Sequence, residues 1–116
     1  MSDIRDITPQ ESEARVIEEL KKIYDPEIPV DIYNLGLIYE VTCKKDPVSK
    51  LNKCNVVMTL TAPSCSMSQI ITDMVKNIPN IIEDGSVESL DIDVVFDPPW
   101  DQNKMSNEAK LTMGML

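Results

Sequence analysis

Cys54–Ile78, CNVVMTLTAPSCSMSQIITDMVKNI, changes its hydrophobic period once, and that change decides the fold. In its first part Cys54, Val56, Met58 and Leu60 alternate with Asn55, Val57, Thr59 and Thr61, the period of a strand with one face on a core. After Ala62-Pro63 the apolar residues Met67, Ile70, Ile71, Met74, Val75 and Ile78 recur at the spacing of one helical stripe. Ser64 or Ser66 can cap that helix, Ser66 with Gln69 in capping-box spacing, and Pro79, which lacks an N–H, ends or kinks it. The methionines of the stripe read as adaptable core filler.

Upstream, Leu37, Tyr39, Val41 and Cys43 alternate with Ile38, Glu40, Thr42 and Lys44, which predicts a first strand. The polar connection KKDPVSKLNK suits an antiparallel pair and gathers Lys44, Lys45, Lys50 and Lys53 into a solvated turn. Before it, DPEIPVDIYN (25–34) is too rich in proline and acid for a regular element and reads as a shaped loop ended by Gly36. Thr8-Pro9-Gln10-Glu11 has the form of a capping box, and Val16, Ile17, Leu20, Ile23 and Tyr24 continue it as a helix to Asp25-Pro26. Downstream, Leu90, Ile92, Val94 and Phe96 mark a third strand, stopped by Asp97-Pro98-Pro99-Trp100. Ser106 caps a short last helix near Asn107 to Met113, with Gly114 at its end.

The order α-β-β-α-β-α predicts a small two-layer α/β sandwich (α+β), a three-stranded mixed sheet with helices on one face. If the second and third strands are parallel, the helix between them forms a right-handed crossover. A length of 116 residues suits one domain over 1–116, with residues 1–8 expected as a flexible lead-in.

Composition narrows the chemistry. A net charge of -9 repels phosphate backbones and anionic lipid, so neither nucleic acid nor membrane is expected as a partner. No apolar run approaches the ~20 residues of a membrane helix, and the acidic N-terminal sequence does not read as a targeting segment, so a cytoplasmic setting is expected. Three cysteines in such a chain are expected to be reduced. Without histidine there is no Ser-His-Asp or Cys-His arrangement, and three ungrouped glycines make no phosphate-cradling loop.

What remains is Cys65, placed by the pattern in the first turn of the second helix. Unpaired N–H groups and the positive end of the helix dipole favour a thiolate there, both nucleophile and soft-metal ligand; a small buried residue that seats the helix fits the same place. Cys43 and Cys54 frame the ten-residue connection, where the hairpin could make them near neighbours, and they are expected as strand-packing thiols. Seven strand steps separate Cys54 from Thr61, roughly 23 Å at about 3.3 Å each, so this pair stands at the far end of the sheet from Cys65. The hairpin should bring the 25–36 loop, with Asp25, Glu27, Asp31, Asn34 and Gly36, toward Thr59, Thr61, Pro63, Cys65 and Ser66.

At DPEIPVDIYNLGLIYEV (25–41), LTAPSC (60–65) and DPPWDQNKMSNEAKLTMG (97–114) the chain resembles the SufT/PaaD-like family of iron–sulfur assembly factors, which includes eukaryotic cytosolic iron–sulfur targeting subunits. The resemblance spans about residues 13 to 114, its blocks in the family's order. It implies a part in cluster assembly or delivery to apoproteins, with Cys65 as reactive cysteine or labile cluster ligand. The family's acidic pair falls on Asp25 and Glu27, its Asn-Leu-Gly on Asn34, Leu35 and Gly36, and its Thr-x-Pro-x-Cys on Thr61, Pro63 and Cys65. Ser66 stands where the family commonly has Pro, adding a hydroxyl and an N–H beside the thiol.

The expected partners are SUF-type assembly machinery and apo client proteins, with dimers common in the family. No cofactor is expected to bind stably, only a transient iron–sulfur cluster, because one well-placed cysteine falls short of the four ligands such clusters normally take. Two alternatives stand beside this reading. One is a thiol-dependent enzyme with Cys65 as nucleophile and Asp25 or Glu27 moving protons; the other is a purely protein-binding adaptor.

Overall fold

The computed structural model describes residues 7–24, 29–60, 68–82 and 86–114. Helix α1 (Pro9–Leu20) starts where the capping box places it: the Glu11 N–H donates to Thr8 Oγ1 at 3.1 Å, and Pro9 fills the first helical position. Ile7 is itself buried, so Ile7 and Thr8 belong to the fold rather than to a lead-in. Of the α1 stripe, Val16, Leu20 and Ile23 are buried, whereas Tyr24, beyond the helix end, is exposed.

Strands β1 (Ile38–Lys45) and β2 (Asn52–Met58) pair antiparallel, and β2 pairs parallel with β3 (Val87–Val94), giving one sheet in the order β1-β2-β3. The register aligns Val41 with Val56 and Cys43 with Cys54, and an irregularity between Ile38 and Glu40 displaces Tyr39 from the regular alternation. Cys54, Val56 and Met58 are buried on one face, while Lys53, Asp91 and Asp93 stand exposed on the other. Helix α1 packs on β1 and β2; helices α2 (Ser68–Lys76) and α3 (Ile78–Ile81) pack on β3. The result is the expected mixed sheet with a helical layer, an α+β fold.

The hairpin turn is tighter than the polar connection suggests. Asp46 accepts from the Val48 and Ser49 N–H groups at 2.7 and 3.0 Å, and the Asp46 N–H donates to the Leu51 carbonyl at 2.8 Å. This closure draws Lys44, Lys45 and Lys53 into the strands, so the lysines do not form one loop cluster. Lys53 instead pairs with Asp46 at 3.0 Å. Hydrogen bonds from the Ser49 and Val48 backbone and from Lys53 lower the Asp46 pKa from 3.8 to about 2.

The stripe of the second helix is narrower than its periodicity. Ile71, Val75 and Ile78 are buried, but Ile70 and Met74 are 45% and 47% exposed, so Met74 is not core filler. Pro79 divides the run: α2 ends at Lys76, and Ile78–Ile81 form a separate turn closed by the Ile82 N–H on the Ile78 carbonyl at 3.1 Å. Among the described residues no helix is long and apolar enough to cross a membrane.

The cysteines bring a second correction. Cys43 and Cys54 are joined as a disulfide, Sγ to Sγ 2.08 Å and Cα to Cα 4.0 Å, rather than standing as two thiols. They are directly opposite in the ladder. The Cys43 N–H donates away from β2, to the Glu13 carboxylate of α1 at 2.9 Å, as in a non-hydrogen-bonded pair, where facing side chains come closest. Composition speaks to the redox setting of a chain but carries no information on this register.

Candidate functional site

The last described residues of the second strand's run are Thr59 and Leu60, which lead toward Cys65. The Thr59 N–H donates to the Leu37 carbonyl at 2.8 Å, extending the hairpin ladder beyond Met58 and setting the start of β1 beside the end of β2. Of the residues named for the site, Asn34, Gly36 and Thr59 are described and lie at one end of the sheet. Asp25, Glu27, Thr61, Pro63, Cys65 and Ser66 lie outside the described residues, as does the Ser66 capping box.

The loop that reaches this end is held by its own polar groups. Asp31, almost fully buried, accepts from the Asn34 backbone N–H at 2.9 Å through Oδ2 and from Asn34 Nδ2 at 2.8 Å through Oδ1. The Asn34 side chain is thus spent on shaping the turn. The Leu35 N–H returns to the Asp31 carbonyl at 2.9 Å and the Ile32 N–H to the Ile23 carbonyl at 2.8 Å, while Ile32, Leu35 and Leu37 anchor the loop in the core. Gly36 has φ of +88°, and a Cβ there would run into the backbone carbonyl of Lys104. Glycine is required twice over, by conformation and by contact.

That contact reveals what periodicity missed: the segment after β3 is part of this end of the molecule. Trp100 Nε1 donates to the Leu35 carbonyl at 2.7 Å and the Ser106 N–H to the Asn34 carbonyl at 2.8 Å. Tyr39 Oη donates to the Pro98 carbonyl at 2.6 Å, and Lys104 Nζ stands 5.1 Å from the centre of the Tyr39 ring. Asp101 accepts from the Asn103 N–H at 2.8 Å to start a 3-10 turn (Gln102–Lys104), and Ser106 caps helix α4 (Asn107–Thr112) by accepting from the Ala109 N–H at 3.1 Å. An indole N–H in a run with few regular neighbours was the available signal, since such a donor seeks an acceptor when it is partly buried.

Two depressions open at this end. One, of about 440 Å³, is lined by Tyr33, Gly36, Ile38, Tyr39 and Lys104; a smaller one, of about 90 Å³, lies between the loop at Val30, Asp31 and Asn34 and the α4 residues Glu108 and Ala109. Thr59 has no exposed surface, and its Oγ1 has no hydrogen-bond partner among the described residues. Among the described residues no group of three or more Cys, Asp or Glu could hold a metal ion. What the described part supplies is a set of backbone bonds and aromatic rings at the end of the sheet where Leu60 stands.

The fold and sequence are those of a known group. The model of a family described as iron-sulfur cluster assembly protein matches residues 13–89. A Porphyromonas gingivalis protein named Fe-S protein maturation auxiliary factor is 38% identical over 106 residues, 91% of this chain and 94% of that one. The Staphylococcus aureus Fe-S protein maturation auxiliary factor SufT is 37% identical over 93 residues, 80% of this chain and 98% of its own length. Among solved structures, a Bacillus anthracis domain of unknown function superposes with a TM-score of 0.80 at 31% identity, covering 93% of this chain and 96% of that domain.

Proposed function

Because this chain belongs to the iron–sulfur cluster assembly protein family, we propose that it is a non-enzymatic auxiliary factor that helps carry or deliver clusters to apoproteins, with Cys65 holding the cargo. The observation that carries this reading is the fate of the sulfurs. The chain has three cysteines, and Cys43 and Cys54 are bonded to each other and almost fully buried, far along the sheet from Thr59, which leaves Cys65 as the candidate ligand for iron whatever the redox state of that pair. Clusters normally take four protein ligands, and carboxylates such as Asp25 or Glu27 are harder donors than thiolate.

A cluster on this protein is therefore labile cargo. It is bridged by Cys65 of two protomers with exogenous thiols, or handed through Cys65 to a partner. The partners are SUF-type assembly proteins and apo clients, the setting is the cytoplasm, and the homodimer forms with the cargo. Asp25, Glu27, Thr61, Pro63 and Ser66 line the approach to the thiol, on the platform made by Asn34, Gly36 and Thr59.

Anaerobic reconstitution with iron and sulfide, followed by absorption spectra and native mass measurement of wild type and Cys65→Ser, tests the proposal. Wild type should take up a cluster that air bleaches and Cys65→Ser should take up none. A stoichiometric, air-stable cluster on a monomer, or uptake unchanged by the substitution, would sink it.

A further inference from the structure

The Cys43–Cys54 pair sits at the end of the sheet away from the candidate site, five strand steps or about 17 Å from Thr59 at about 3.3 Å per step. It belongs to none of the chemistry proposed above. Both residues are almost fully buried, at 6% and 3% exposure, on the face of the sheet covered by α1. The backbone ladder around them is complete without the covalent bond, with Thr42 facing Asn55 on one side and Lys44 facing Lys53 on the other. The register alone holds the two side chains against each other, so the strands need not part when the bond is absent.

We propose that Cys43 and Cys54 form a reversible two-electron redox site that clasps the β1–β2 hairpin under α1. In the reductive direction a thiolate of an external dithiol attacks one Sγ, and the Sγ–Sγ bond breaks as the mixed disulfide forms. The released protein thiolate takes a proton. The second thiolate of the dithiol then closes on the first, leaves as a cyclic disulfide and frees the other protein sulfur, which is also protonated. Two electrons and two protons pass to the protein, and the dithiol is oxidised by the same amount.

Access is set by α1. Its Glu13 carboxylate holds the Cys43 N–H at 2.9 Å, and the buried sulfurs lie beneath the helix that Val16 and Leu20 anchor in the core. An attacking thiolate meets both the helix and a carboxylate of its own charge sign, so exchange proceeds through local release of α1 rather than through the closed fold. The clasp couples the redox state of the surroundings to how firmly α1 and the hairpin hold together.

The test is a titration of the Cys65→Ser protein in mixtures of reduced and oxidised dithiothreitol, with acid quenching, alkylation and peptide mass mapping, followed in parallel by far-UV circular dichroism and amide hydrogen exchange. One transition in which Cys43 and Cys54 become alkylated together, with an unchanged dichroism spectrum and α1 and hairpin amides exchanging about tenfold faster in the dithiol form, is the expected result. Peptide mapping of the wild type assigns the same transition should Cys65→Ser fold poorly. Thiols that stay fully alkylatable in the most oxidising mixture overturn the proposal. So does a disulfide that opens only with loss of the dichroism signal, which would make it a fixed staple.

Discussion

Gly36 and Thr59 lie at the same end of the hairpin, where the Thr59 N–H bonds the Leu37 carbonyl, and make opposite predictions. Gly36→Ala forces a side chain into φ of +88° and against the Lys104 carbonyl, so it should destabilise the fold by at least about 1–3 kcal/mol, the cost of such backbone strain alone. Denaturant unfolding measures it, and a midpoint equal to wild type would refute the contact. Thr59→Val keeps the β-branched shape and removes a buried hydroxyl that has no partner among the described residues. Stability should hold or rise by up to about 1–3 kcal/mol, the usual penalty of a desolvated polar group without a bond. A lower unfolding temperature would mean that the hydroxyl is used. That a glycine ends the irregular loop is legible in the sequence; its positive φ and the Lys104 carbonyl beside it are not, since that carbonyl is sixty-eight positions further along the chain.

At the scale of elements, local capping chemistry is the part the sequence announces best. Thr8, Pro9 and Ser106 occupy the positions their spacing indicates, because each bond joins groups within one helical turn. Ser106→Ala should cost about 1 kcal/mol and loosen α4 from the loop, measurable as faster amide exchange at Ala109. The hairpin turn carries a pH signature. Asp46 is depressed to about 2 by the Ser49 and Val48 N–H groups and Lys53, so its contribution to the turn is complete above the ordinary 3.8 and disappears as pH falls through about 2. Side-chain carboxyl NMR titration of Asp46 checks this directly, and a midpoint near 3.8 would show that the turn bonds do not persist in solution. Helix α2 marks the limit of periodicity: Ile70 and Met74 fit the stripe yet remain exposed, since the width of a stripe that becomes buried depends on the partner surface.

For the whole molecule, the acidic surface and the single available cysteine bear on assembly. Protomers that each carry a net charge of -9 repel one another, so the proposed sharing of cargo through Cys65 requires the cargo itself to supply the attraction that offsets this. Native mass spectrometry should find the reconstituted wild type as a dimer that returns to monomer when a chelator strips the iron, and Cys65→Ser as a monomer throughout. A dimer that survives iron removal would place its interface elsewhere.

The sequence by itself determined the element order, the antiparallel hairpin and the caps of α1 and α4, because hydrophobic period and capping act over a few residues; that β3 returns parallel to β2 is read from the sheet itself. It also carried the family, through three blocks whose order matters. Only the tertiary structure decided that Cys43 and Cys54 are bonded, that Trp100, Lys104 and Ser106 close over the Asn34–Gly36 loop, and that half of the α2 stripe stays exposed. Each of those facts depends on which distant surfaces meet, and a contact between residues far apart in the chain leaves no periodic trace in either partner.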